Sequence, residues 1–241
     1  MGVGHYQFFS KTLELIIPFS FIAPNKVTKQ TQILYLLHGF SDNETKWIQE
    51  TRITTYAENT NILIVMPTVY QSYYSNMVAG PDYFTFFTDE LIPTVENLFS
   101  LEVTQQNRFI CGNSMGGYGA VKLGLLTDLF SRVYSFSGAL DIEGFWQSNP
   151  NRGEHFKYAF GSIETFHGSK NDLFVQPYLG KQTKFTLYCG AADFLLTGNQ
   201  KFANHTKKYM DILLIISEGA HDWEYWDKCV NEVLMELKKI K

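Results

Sequence analysis

Cysteine is scarce in this chain of 241 residues, with only Cys111, Cys189 and Cys229, widely spaced. No Cys-x-x-Cys pair marks a zinc or redox site, so the three read as buried, reduced thiols. Charge is thin as well. Asp, Glu, Lys and Arg make up 18% of the residues, the formal net charge is −4, and Lys and Arg gather into no stripe. That pattern offers nucleic acid or an anionic membrane no electrostatic footprint. Long apolar runs are also missing: none approaches the ~18 residues of a membrane span. Met1–Gln7 lacks a basic region, an apolar stretch and a small-residue cleavage site. These absences predict a soluble, cytoplasmic protein acting on a small molecule, with no nucleic-acid or membrane partner. A homo-oligomer stays open.

Apolar residues are present in ordinary proportion, at 45%, enough for one domain over residues 1–241 with a core and a pocket. Short β-type runs recur at Ile33–Leu37, Ile62–Met66, Phe109–Cys111, Val133–Phe136, Phe185–Cys189 and Ile212–Ile216. Helix-compatible stretches lie between them, notably Tyr83–Phe99, Gly116–Leu126, Gln200–Tyr209 and Asp222–Lys239. Alternation of this kind predicts an α/β fold, a mostly parallel central sheet covered by helices on both faces. Tyr6–Phe9 and Leu13–Phe21 have no helix after them and suit an antiparallel pair at one sheet edge. Residues 141–180 are too long and too irregular for a connecting loop, and read as a cap-like insertion before the penultimate strand.

Gly112-Asn113-Ser114-Met115-Gly116 joins a strand to a helix. Chance alone places G-x-S-x-G in about one chain in ten of this length, so the strand–turn–helix context is what makes Ser114 a candidate nucleophile. Upstream, the run Ile33–Leu37 enters His38-Gly39-Phe40. The backbone amides of Phe40 and of Met115, at a helix N-terminus, are the candidate oxyanion donors. His38 sits in the loop supplying one amide and is read as structural. His221 directly follows the last expected strand and is the candidate general base. Asp193, after the penultimate strand, is the candidate acid that orients it. Asp141 is the runner-up, while Asp222 adjoins His221 too closely to reach its ring productively.

These residues resemble the tributyrin or acetyl esterases of Gram-positive bacteria, within the esterase D and S-formylglutathione hydrolase-like α/β-hydrolases. The resemblance rests on Leu37-His38-Gly39 with Asn43 and Trp47, Ile64–Pro67, Asn113–Gly119, Phe136–Leu140, Cys189-Gly190 leading to Asp193–Leu195, and Gly219–Trp223 with Trp226. It implies the α/β-hydrolase fold and hydrolysis of short-chain acyl esters, acetyl to butyryl, through an acyl-enzyme without metal or cofactor. The implied triad falls on Ser114, Asp193 and His221, and the implied oxyanion pair on Phe40 and Met115. Carbohydrate esters are among the substrates it implies.

Aromatic candidates for the pocket wall are Trp47, Tyr73, Tyr74, Trp146 and Phe194; Tyr73 and Tyr74 equally suit a surface loop, and Trp146 and Phe194 a cap that simply covers the sheet. Competing functions are an S-formylglutathione hydrolase-like thioesterase, a feruloyl esterase and a catalytically silent binding protein on the same fold. The acidic balance and the lack of a basic cluster give no support to an anionic thiol conjugate.

Overall fold

The computed structural model describes residues 1–176 and 182–240. Eight strands form one sheet: β1 (Gly2–Ser10), β2 (Leu15–Ala23), β3 (Gln32–Leu37), β4 (Ile62–Pro67), β5 (Arg108–Asn113), β6 (Arg132–Phe136), β7 (Lys184–Gly190) and β8 (Ile212–Ser217). Their spatial order is β1-β2-β4-β3-β5-β6-β7-β8. The expected antiparallel pair forms the edge, β1 on β2 and β2 on β4, and every other pairing is parallel. β3 has one partly buried residue and five buried ones, and all of β4 and β5 are buried. Helices cover both faces there, which is why these strands read as continuous apolar runs without alternation.

Among the described residues the helices are α1 (Lys46–Glu50), α2 (Ile53–Ala57), α3 (Tyr83–Thr85), α4 (Ile92–Leu98) and α5 (Met115–Leu126). After them come α6 (Ile142–Ser148), α7 (Gly153–Phe160), α8 (Ile163–Phe166), α9 (Leu196–Thr206) and α10 (Trp223–Leu237). Within the expected helix Tyr83–Phe99, residues Phe86–Leu91 wind as a π-helical segment that buries Phe86, Phe87 and Leu91. The helix expected at Gln200–Tyr209 begins four residues earlier, at Leu196, where Asp193 accepts the Leu196 amide through its backbone carbonyl. α10 buries Tyr225, Trp226, Cys229, Val230, Val233, Leu234 and Leu237, the three- and four-residue spacing of one helical stripe. No described helix is long and apolar enough to cross a membrane.

Side chains alternate across the sheet into two core layers. Ile33, Tyr35 and Leu37 face the layer shared with α4, α5 and α7, and Leu34 and Leu36 face the layer shared with α2 and α10. The insertion expected at 141–180 holds α6, α7 and α8 with two 3-10 turns, Pro150–Arg152 and Leu173–Val175. Its positions 177–180 lie outside the described residues. The three cysteines are buried and unpaired.

Candidate active site

Ser114 occupies the turn between β5 and α5 with φ 53° and ψ −114°, a conformation that costs a non-glycine residue strain. The turn closes only without neighbouring Cβ atoms. One on Gly116 would stand 2.6 Å from the Leu37 carbonyl oxygen, and one on Gly112 2.6 Å from Leu37 Cβ. Hydrogen bonds hold the strained residue in place: its N–H donates to Phe136 O at 2.9 Å, and its carbonyl accepts from Tyr118 and Ala139, both at 3.1 Å.

Three loops bring three side chains to this point. His221, from the loop after β8, has Nε2 3.0 Å from Ser114 Oγ and Nδ1 3.1 Å from each carboxylate oxygen of Asp193. Asp193 lies after β7 with its side chain fully buried. Burial alone would push its carboxyl up, yet the His221 ring and the Leu195 amide, the latter at 2.8 Å, hold it below the ordinary carboxylate value. The His221 ring is fixed between Phe194, 4.4 Å away, and Trp226, 5.0 Å away and nearly perpendicular. Trp226 is itself anchored by its Nε1–H to Ser137 Oγ at 3.1 Å. The two other acids have different work. Asp141 caps α6 through Gly144 and pairs with Lys201 at 2.7 Å, and Asp222 caps α10 by accepting the Tyr225 amide at 2.9 Å.

A cavity of about 400 Å³ opens over the serine, lined by Gly39, Phe40, Asn113, Phe145, Arg152 and Phe194 among others. Met115 stands at the first position of α5, where its amide has no intrahelical acceptor. The Phe40 amide belongs to the loop forming the cavity's other rim. His38 lies behind that rim. Its Nε2 accepts the Val69 amide at 3.0 Å and its Nδ1 donates to Gly39 O at 2.7 Å, tying two loops together. Burial lowers its pKa to about 4, so it is neutral and uncharged beside the site. Among the described residues no group of three His, Cys, Asp or Glu side chains stands close enough to hold a metal.

The structure places four of the five expected wall residues elsewhere. Trp47 is fully buried, donating its Nε1–H to Leu37 O at 3.0 Å and packing on Trp223. Tyr73 and Tyr74 are buried too, Tyr74 donating its hydroxyl to His38 O at 3.1 Å. Trp146 stacks on Phe156 at 5.0 Å beneath α7. Large rings gain most by leaving water, and each finds apolar neighbours behind the wall. Phe194 alone reaches the cavity, and it is 63% exposed. Arg152, Asp42, Asp222 and Trp223 line the cavity without having been expected there. Asp222 and Trp223 were legible as neighbours of His221; nothing in the local sequence marks Arg152.

The chain is similar to an acetyl esterase of Caldicellulosiruptor saccharolyticus, 28% identical over 264 aligned residues that span 100% of this chain and 99% of that one. Among solved structures it is similar to the fluorophosphonate-binding serine hydrolase F of Staphylococcus aureus, with a TM-score of 0.89, 24% identity and coverage of 99% and 98%. The S-formylglutathione hydrolase of Staphylococcus aureus gives a TM-score of 0.86 at 25% identity, with 99% of each chain covered. The fold is therefore that of the α/β-hydrolases. A sequence-family profile described as "Putative esterase" matches residues 10–237, nearly the whole chain, and the protein belongs to that esterase family.

Proposed function

We propose that this protein is a serine carboxylesterase that hydrolyses short-chain acyl esters, acetyl to butyryl, through an acyl-enzyme. The observation carrying this reading is the continuous chain from Ser114 Oγ through the His221 ring to the Asp193 carboxylate, at 3.0 and 3.1 Å. Ser114 Oγ attacks the ester carbonyl carbon while His221 Nε2 takes its proton. The negative oxygen of the tetrahedral adduct faces the amides of Phe40 and Met115, each worth about 10²–10³ in turnover in sites of this kind. Collapse of the adduct breaks the bond to the alcohol, which leaves with the proton returned by His221. Water activated by the same ring then releases the acid. Asp193 holds Nδ1 protonated and steadies the imidazolium.

Full-length similarity to an acetyl esterase supports a small acyl group. Acetylated carbohydrates belong to the proposal because Ser41, Asp42 and Asp222 share the cavity wall with aromatic faces. The test is release of p-nitrophenol from p-nitrophenyl acetate and butyrate, with fluorophosphonate labelling of the same samples. Wild type turns over and labels; Ser114→Ala does neither. Full activity in Ser114→Ala would sink the reading.

A further inference from the structure

The chain contains four arginines. Three bind carboxylates: Arg52 with Asp227 at 3.1 Å, Arg108 with Glu96 at 2.8 Å and Arg132 with Glu236 at 3.2 Å. The fourth, Arg152, has no carboxylate within ion-pair reach among the described residues, and it is the one that lines the catalytic cavity. It ends the 3-10 turn Pro150–Arg152 between α6 and α7. Its guanidinium carbon lies 4.7 Å from the centre of the Phe40 ring and 5.7 Å from that of Phe145. The guanidinium also hydrogen-bonds the hydroxyl of Tyr73, whose pKa burial pushes up to about 12 despite that cation.

Two aromatic faces flank the group, and beyond the hydrogen bond it gives to Tyr73 a guanidinium keeps further N–H donors for a planar acceptor. The acidic side chains of the same cavity do not answer it. Asp222 is occupied by the Tyr225 amide at 2.9 Å, and Asp42 forms no ion pair with Arg152 among the described residues. A pre-oriented, uncompensated guanidinium beside a reactive serine is suited to a carboxylate brought by the substrate.

We propose that Arg152 forms an anion subsite in the catalytic cavity, and that the preferred substrate is an ester carrying a carboxylate near its scissile bond. This rests on the esterase reading above.

Two pairs of esters test it. p-Nitrophenyl hemisuccinate against p-nitrophenyl butyrate puts the carboxylate on a four-carbon acyl chain, and 4-acetoxybenzoate against phenyl acetate puts it on the alcohol. Wild type should prefer the charged member of at least one pair. Arg152→Gln should lower kcat/KM for that member about 10- to 100-fold relative to its neutral partner, chiefly through KM. Arg152→Lys should keep part of the preference, and raising NaCl to about 0.5 M should narrow it in wild type. Absence of any preference in wild type overturns the proposal. So does an equal loss on all four esters in Arg152→Gln, which would mark the side chain as a prop for Phe40. A wild type inert toward all four and unlabelled by fluorophosphonate overturns the esterase reading itself, a different result from activity without charge preference.

Discussion

At His221 the two ring nitrogens face different partners, Ser114 on one side and Asp193 on the other, and this asymmetry sets what each substitution does. Asp193→Asn preserves the shape of the pair while allowing the ring its other tautomer, with the proton toward the serine. Turnover of p-nitrophenyl acetate should fall by about 10⁴, as such changes do in comparable triads, while the circular dichroism spectrum stays unchanged. His38 makes a separate prediction about pH. Its folded-state value of about 4 lies below the ordinary 6.5, so between those pH values the unfolded chain binds a proton that the folded one refuses. Stability should therefore drop as pH falls from 6.5 toward 4, by up to about 3 kcal/mol at the end of the window. Urea midpoints of wild type at pH 7 and pH 5 should show the loss, and His38→Asn should flatten that dependence.

The strand–turn–helix element around Ser114 is held by what its glycines leave out. A methyl group on Gly116 meets Leu37 O at 2.6 Å and His38 O at 2.8 Å, both backbone atoms of the strand and loop that present Phe40. Gly116→Ala should thus cost about 1–3 kcal/mol, and it should lower turnover as well, because the loop must shift to admit the methyl. Urea unfolding measures the first effect and kcat on p-nitrophenyl acetate the second. α5 itself is buried at every position from Met115 to Leu125, with sheet on one side and the insertion on the other. Lys122 is drawn into this interface, its ammonium nitrogen 2.6 Å from Ser75 Oγ and 2.5 Å from Asn171 Oδ1. The helix thereby ties the insertion to the sheet.

Across the whole molecule, the same strands back both core layers, so neither layer keeps its support once the other is lost. Leu123 is buried in the layer with α5 and Leu234 in the layer with α10. Leu123→Ala and Leu234→Ala should each cost about 2–5 kcal/mol, and each variant should unfold in one transition, with tryptophan fluorescence and far-ultraviolet circular dichroism coinciding. Two separated transitions would instead show that the chain is not one cooperative unit. The insertion joins this unit through rings: Phe156 contacts Tyr73 at 5.4 Å and Phe160 contacts Tyr118 of α5 at 6.1 Å, so it is packed rather than laid loosely on the sheet.

The strands were legible because β3, β4 and β5 are apolar on both faces, and the edge pair because nothing helical follows it. The residues around Ser114, Asp193 and His221 were legible because each follows a recognisable strand, and chain order alone sets which loop carries which group. Helix starts were less so, since Leu196 begins its helix from a turn fixed by Asp193 rather than from a local cap. What the sequence could not decide was which rings face the cavity. Trp47, Tyr73, Tyr74 and Trp146 have the right chemistry for a wall, but burial behind it removes more apolar surface from water. Tyr73 and Tyr74 are turned inward by left-handed backbone, φ 53° and 51°, which no aromatic residue advertises. Arg152 shows the reverse: an ordinary arginine in an irregular stretch acquires its place only when the insertion folds over Phe40. The sequence determined the order of strands and the chemistry of the loops between them, because both depend on neighbours in the chain. The shape and charge of the cavity depend on contacts between distant segments, and only the tertiary structure decided those.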